Sequence, residues 1–134
     1  MYLLDTNVVS ELRRIKPHGG VLQWLHAQDD AHLHLSAVTL GEIQTGIEIT
    51  RARDPARARE IEIWADAIAQ SWNILPVDAT IYRRCARLMH GLPDHLYEDA
   101  LIAATALSHN LTVVTQNIAD FRDFGVTLLN PFEQ

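Results

Sequence analysis

The chain opens with Tyr2-Leu3-Leu4-Asp5-Thr6-Asn7, and this stretch decides the fold. Three apolar residues that stop at a polar cluster predict a short buried strand whose carboxyl end carries Asp5. The run that follows, Val8-Val9-Ser10-Glu11-Leu12, predicts a helix. The protein therefore begins with a strand that leads directly into a helix.

The same alternation of strands and helices continues along the chain. Further strands are predicted at 32–38, 73–77, 111–115 and 126–129. Between them, an amphipathic stripe from Ile61 to Trp72 and an almost wholly apolar run from Asp99 to Ser108 predict helices. Because such alternation builds βα units, the predicted fold class is α/β, a three-layer α/β/α sandwich with a central, mainly parallel sheet.

Composition is that of an ordinary globular protein and predicts one domain over residues 1–134. Apolar residues make up 48% and charged residues 21% of the chain. The single cysteine, Cys85, has no partner for a disulfide or a zinc site and is predicted to be a core thiol. No apolar run approaches the roughly 18 residues that span a bilayer, so we expect no membrane contact and a cytoplasmic location.

The formal net charge of −6 is the wrong sign for a protein that holds nucleic acid by phosphate neutralisation alone. A chain of this charge that acts on RNA needs a bound metal ion and a local basic patch. One candidate patch is the segment that contains Arg51, Arg53, Arg57 and Arg59. The simpler interpretation of that segment is a solvated helix face.

Three acids lie at predicted element boundaries. Asp5 follows the first strand, and Asp99 begins the apolar helix. Thr39 is expected to cap the helix after the second strand, which places Glu42 in the first turn of that helix. Because neighbouring parallel strands lie about 4.8 Å apart, their carboxyl ends are expected to bring Asp5 and Glu42 together.

Carboxylates that gather in this way repel one another unless protons or a cation sit among them. Mg²⁺ is the predicted cation because it prefers oxygen ligands, and Mn²⁺ is a possible substitute. Taken singly, each acid also has a structural explanation that needs no metal, as a helix cap or as a partner of the helix dipole.

Four motifs occur in order and carry a family resemblance. They are Leu3-Leu4-Asp5-Thr6-Asn7-Val8-Val9-Ser10-Glu11-Leu12, Ser36-Ala37-Val38-Thr39-Leu40-Gly41-Glu42-Ile43, Glu98-Asp99-Ala100-Leu101-Ile102-Ala103-Ala104-Thr105-Ala106 and Val114-Thr115-Gln116-Asn117-Ile118-Ala119-Asp120-Phe121. Together with the closing Asn130-Pro131-Phe132, they resemble the VapC toxins of the PIN-domain family, particularly the FitB-like branch. Each motif alone is weak, but their order and spacing over nearly the whole chain are specific.

The resemblance implies a toxin of a type II toxin–antitoxin system, a Mg²⁺-dependent ribonuclease that forms a homodimer and is blocked by a VapB-like antitoxin. By position, Asp5, Glu42 and Asp99 match the three main acids of the family and are the expected catalytic and metal-binding residues. Thr6, Thr115 and Asn117 are expected to support them. Asn117 departs from the acid often found at the fourth family position, and Asp120 is the alternative for that place.

Other functions are less well matched by the sequence. Haloacid-dehalogenase-like phosphatases need an acid two residues after the first, where this chain has Asn7. Receiver domains need a late lysine, and the only lysine here is Lys16. A PIN fold that serves as a non-catalytic binding or assembly module stays open as the alternative.

The histidines have simpler explanations than catalysis. His32 and His34 alternate with leucines and are predicted to lie on an exposed strand face. His90 and His95 flank a loop near Asp99, where a surface position is the simpler interpretation and a substrate contact is the alternative.

Overall fold

A five-stranded sheet forms the centre of the computed structural model, which describes residues 1–133. The predicted end of the domain at residue 134 lies outside the described residues. The strands, in chain order, are Tyr2–Leu4 (β1), Leu33–Ser36 (β2), Asn73–Leu75 (β3), Thr112–Val114 (β4) and Leu128–Leu129 (β5). They lie in the order β3-β2-β1-β4-β5, and every pairing within residues 1–133 is parallel. The predicted parallel sheet is confirmed.

Helices cover both faces of this sheet. They are Thr6–Val9 (α1), Gly19–His26 (α2), Ala37–Arg51 (α3), Pro55–Ser71 (α4), Ala79–Met89 (α5), Tyr97–His109 (α6) and Ile118–Phe121 (α7). Successive residues of β1 divide between the layers, since Leu4 packs with α2, α3 and α4 while Leu3 packs with α5, α6 and α7. The predicted α/β/α sandwich is therefore confirmed. Among residues 1–133, the structure contains no helix that could span a lipid bilayer.

The start of α3 differs from the prediction. The strand ends at Ser36, whose hydroxyl oxygen accepts a hydrogen bond from the backbone N–H of Val38 at 3.0 Å and caps the helix. The predicted cap at Thr39 was wrong, because Thr39 is already inside the helix and fully buried. The helix therefore begins earlier, and Glu42 lies in its second turn rather than its first.

Two further interpretations are settled by the fold. Cys85 lies on α5 and is buried among core side chains that include those of α6, as predicted for a core thiol. The Arg51–Arg59 segment is not one helix face, because it runs from the last turn of α3 through a turn into the start of α4. The interpretation of this segment as one solvated helix face overlooked the turn between the two helices, although Pro55 marks the first turn of α4.

The central strands carry much of the core, and this leads to a stability prediction. Leu35 of β2 is fully buried, so Leu35→Ala removes buried methyl groups and leaves a cavity. We expect the free energy of unfolding to fall by about 2–5 kcal/mol in urea titrations. Ile63→Ala is the matched control, because Ile63 on α4 is 59% exposed and its loss should change stability by about 0.5 kcal/mol or less. Equal losses in the two variants would contradict this account of the core.

Candidate active site

The carboxyl edge of the sheet collects the three predicted acids. Asp5 follows β1 directly and is only 4% exposed. Glu42 belongs to α3, the helix that follows the neighbouring strand β2, and Asp99 lies in the first turn of α6. All three are close enough for the negative charge of one to disfavour ionisation of another. The structure therefore brings the three residues together.

Asp5 is held by a fixed set of donors. One carboxylate oxygen accepts from the backbone N–H of Thr6 at 2.8 Å. The other accepts from the Thr115 hydroxyl at 2.8 Å and from the Asn7 side-chain amide at 3.0 Å. Burial raises the pKa of Asp5, these hydrogen bonds lower it in part, and the charge of Asp120 adds to the rise. The result is a rigid carboxylate that keeps its proton more readily than a free aspartate.

Glu42 is the acid with the most unusual environment. Its Oε1 atom is buried and, among residues 1–133, has no hydrogen-bond partner. Burial and the charges of Glu98, Asp5 and Asp99 raise the pKa of Glu42 to about 7, while the Thr6 hydroxyl opposes the rise. A buried acceptor without a donor is costly, so this oxygen is available to a proton or a cation.

The pKa of Asp99 is raised in a similar way. Burial, followed by the charges of Asp5, Asp120 and Glu98, raises the pKa of Asp99 to about 6, and His95 acts in the opposite direction. The N-terminal turn of α6 alone would favour the ionised form, because the helix dipole stabilises negative charge there. Burial and the neighbouring acids act against this stabilisation at Asp99.

The predicted supporting residues differ in what they contact. The Thr115 hydroxyl bonds Asp5 directly and also accepts from the backbone N–H of Asn117 at 2.9 Å. The Thr6 hydroxyl bonds Thr39 at 3.2 Å, next to Glu42. The Asn117 side chain is exposed, and among residues 1–133 only its backbone N–H bonds to this cluster. Asp120, by contrast, acts on both Asp5 and Asp99 through its charge.

Sequence reasoning missed two contributors, Asn7 and Glu98. The Asn7 side-chain amide donates to Asp5 through its nitrogen, and its Oδ1 atom accepts from the backbone N–H of Gln116 at 3.2 Å, which ties the end of β1 to the end of β4. Glu98 acts on Glu42 from the start of α6. Both lie inside the family motifs. The signal that could have identified them is their position in sequence, since Asn7 is close to Asp5 and Glu98 directly precedes Asp99. Neither contact follows from spacing alone.

Within residues 1–133, the histidines take no part in the cluster, apart from the charge effect of His95 on Asp99. His34 lies on β2 with its Nδ1 3.3 Å from the carbonyl oxygen of Tyr2, which is a contact between neighbouring strands. His32 lies in the turn before β2, and both His32 and His90 are exposed. The predicted strand face therefore holds for His34 but not for His32.

The donor set fits a hard divalent cation. Asp5, Glu42 and Asp99 offer only oxygen atoms, and Oε1 of Glu42 lacks a hydrogen-bond partner in the described part of the chain. Within residues 1–133, no group of three or more His, Cys, Asp or Glu side chains is already arranged to hold a metal ion. Mg²⁺ needs only one or two protein carboxylates, because water fills the rest of its octahedron. The cluster is therefore suited to an ion that keeps most of its water.

Comparison with known proteins agrees with this geometry. The family model for the PIN domain matches residues 2–126. The chain belongs to the PIN-domain family. It is 33% identical to the VapC ribonuclease Y4jK of Sinorhizobium fredii over 99% of both chains, and 31% identical to the toxin FitB of Neisseria gonorrhoeae over 98% of this chain and 99% of that one.

Solved structures of this PIN-domain family superpose closely on the chain. The structure of FitAcB from Neisseria gonorrhoeae matches with a TM-score of 0.82 and 30% identity, covering 100% of both chains. A toxin–antitoxin complex from Klebsiella pneumoniae matches with a TM-score of 0.74 and 25% identity, covering 98% of both chains. The resemblance predicted from the four motifs is confirmed.

The raised pKa values predict how stability depends on pH. The metal-free protein should become less stable as the pH rises from about 5 to about 8, because the folded chain then holds protons that the unfolded chain has already released. Glu42→Gln should flatten this slope and should be more stable than the wild type at the upper end. Urea titrations in EDTA at several pH values measure the effect. A wild-type stability that rises over this range, or a slope unchanged in Glu42→Gln, would be inconsistent with the raised pKa of Glu42.

Proposed function

We propose that this PIN-domain protein is a metal-dependent ribonuclease and the toxin of a type II toxin–antitoxin pair. The observation that carries the proposal is the acid cluster at the carboxyl edge of the sheet, in which one Glu42 oxygen has no hydrogen-bond partner among residues 1–133. The ribonuclease name of the Sinorhizobium relative and the toxin name of the Neisseria relative support the same activity. Because its substrate is RNA, we expect the protein to act in the cytoplasm.

Asp5, Asp99 and Glu42 are the proposed metal-binding and catalytic residues, with Mg²⁺ as the cofactor and Mn²⁺ as a substitute. When bound, the ion lowers the pKa of water and stabilises negative charge that develops on the phosphate. The protein has to supply an oriented carboxylate, and Thr115 and Asn7 provide this by fixing Asp5. Thr6, Thr115 and Asn117 remain the proposed supporting residues, with Asp120 rather than Asn117 supplying charge at the fourth position.

In the metal-free chain, burial and the neighbouring acids raise the pKa of Glu42 to about 7. A general base works best when its pKa is close to the working pH. We assign to its Oε1 atom the task of accepting a proton from the water that attacks the phosphodiester. This role requires no hydrogen bond from the protein to Oε1, and no group within residues 1–133 provides one.

An antitoxin resembling VapB is the proposed protein partner. The acid cluster attracts a basic side chain, and an arginine satisfies carboxylates with two parallel hydrogen bonds. We propose that an arginine of the antitoxin enters the cluster and competes with the metal. A homodimer of the toxin offers two such pockets, so a paired antitoxin gains affinity through effective concentration.

The first test of this function removes the charges. Asp5→Asn and Asp99→Asn should each lower Mg²⁺-dependent cleavage of RNA about 100-fold or more, since a lost metal contact costs about 3 kcal/mol of transition-state stabilisation. Both should fold, because each substitution relieves repulsion. Asp66→Asn is the matched control, as Asp66 is an exposed acid on α4. Wild-type activity in Asp5→Asn and Asp99→Asn would favour the non-catalytic module instead.

The second test concerns the partner. Overproduction of the chain alone should arrest growth, and co-expression with the short reading frame expected directly upstream should relieve the arrest. The two proteins should co-purify, and Mg²⁺ should weaken the complex because it competes for the same carboxylates. A harmless chain that neither binds nor is protected by that neighbour would contradict the toxin assignment.

A further inference from the structure

An open cleft lies beside the acid cluster. Its volume is about 700 Å³. Its wall is formed by Asn7 of α1, the 3-10 turn Ser10–Arg13, the loop that follows this turn, Arg57 of α4 and Gln116 beyond the end of β4. The lining residues are Asn7, Ser10, Glu11, Arg13, Arg14, Ile15, Lys16, Arg57 and Gln116.

This cleft is basic in a protein that is acidic overall. Arg13, Arg14, Lys16 and Arg57 line it, against one carboxylate, while the whole chain carries a net charge of −6. Among residues 1–133, Arg13 and Lys16 form no ion pair. Positive charge concentrated against the overall balance is the pattern of a site for a polyanion.

The single carboxylate in the cleft holds the loop in place. Glu11 is 5% exposed, and one of its oxygens accepts from the backbone N–H of His18 at 2.8 Å. The other accepts from the Arg14 guanidinium at 2.8 Å. Burial acts to raise the pKa of Glu11, but these bonds and the charge of Arg14 bring it below its ordinary value. Glu11 therefore stays ionised and holds both ends of the loop 14–18, at Arg14 and at His18.

The cleft adjoins the acid cluster and shares residues with it. Arg13 lines the cleft and also a smaller pocket that contains Thr6 and Glu42. Asn7 lines the cleft and donates to Asp5. A chain lying in the cleft is thus directed towards the carboxylates on which the proposed cleavage depends.

The Arg51–Arg59 segment is a weaker candidate for phosphate contact. Arg51 is engaged by Glu48 at 3.0 Å and by Glu62 at 2.8 Å, which joins α3 to α4. Of the four arginines in that segment, only Arg57 lines the cleft. The basic patch required by the net charge therefore lies mainly in the turn and loop after α1.

We propose that this cleft binds the phosphate backbone of the RNA substrate, with Arg13 and Lys16 as its principal phosphate contacts. The inference rests on the proposed ribonuclease function and adds the path by which RNA reaches the acids. The RNA path and the antitoxin site differ in charge. An arginine-bearing segment of the antitoxin is attracted by the acids and repelled by the basic cleft. Bound RNA brings its own negative charge, and Arg13 and Lys16 offset its repulsion from the acid cluster. Arg14 and Arg57 contribute less, because they pair with Glu11 and Glu60.

The test measures binding apart from cleavage. A fluorescein-labelled oligouridylate of 15 nucleotides serves as the probe, and fluorescence anisotropy in EDTA gives the Kd at several salt concentrations. Removing two phosphate contacts in an Arg13→Gln, Lys16→Gln double variant should reduce the slope of log K against log salt by about 1.4, at about 0.7 for each contact. At physiological salt this corresponds to a Kd about tenfold weaker.

A matched control removes the same charge elsewhere. Arg83 and Arg87 are exposed on α5 and do not line the cleft. Arg83→Gln, Arg87→Gln should keep the wild-type slope and Kd. All substituted side chains are exposed, so thermal unfolding should be close to that of the wild type in both double variants.

The possible outcomes separate the two proposals. If the wild type cleaves RNA but both double variants bind the probe alike, the cleft proposal is overturned while the ribonuclease function stands. If the cleft variant loses antitoxin binding and keeps RNA binding, the cleft is a protein site and the proposal is again overturned. If the wild type neither binds nor cleaves RNA, both proposals fail. A selective loss of RNA binding in the cleft variant, with KM raised and kcat nearly unchanged, supports the proposal.

Discussion

Repulsion among the buried and half-buried carboxylates at the carboxyl edge of the sheet is the constraint around which this molecule is organised. Asp5, Glu42 and Asp99 come from three different elements, and the fold keeps them together although the charge of Asp5 raises the pKa of both Glu42 and Asp99. Such an arrangement costs stability in the metal-free protein. The cost makes physical sense when a cation offsets the repulsion, which is the role that the proposed function gives to Mg²⁺.

The protein limits this cost by fixing one acid and leaving another free. Asp5 receives hydrogen bonds from Thr6, Asn7 and Thr115, and these hold its orientation. Glu42, in contrast, keeps an oxygen with no partner among residues 1–133. A rigid ligand next to an available base is the combination that metal-assisted hydrolysis requires. The basic cleft beside them carries charge of the opposite sign, so the acids need not repel an RNA strand on its approach.

Much of the fold could be predicted from the sequence because local patterns agreed with the final structure. The apolar run before Asp5 and the β-branched run at 111–115 became neighbouring central strands. The prediction failed where two residues of similar chemistry competed for one role. Ser36 and Thr39 are both good helix caps, and the end of β2 decided in favour of Ser36. Asn7 and Glu98 were missed for a related reason, since their contacts cross between elements that are distant in the chain.

By itself, the sequence determined the alternation of strands and helices, the positions of the acids at element ends, and the family. These features depend on periodicity and on residue order, which are local properties of the chain. The tertiary structure decided which oxygens are buried, which donors reach Asp5, and that Arg57 joins Arg13 and Lys16 in one cleft. Those properties depend on distances between residues far apart in sequence, and packing alone sets such distances.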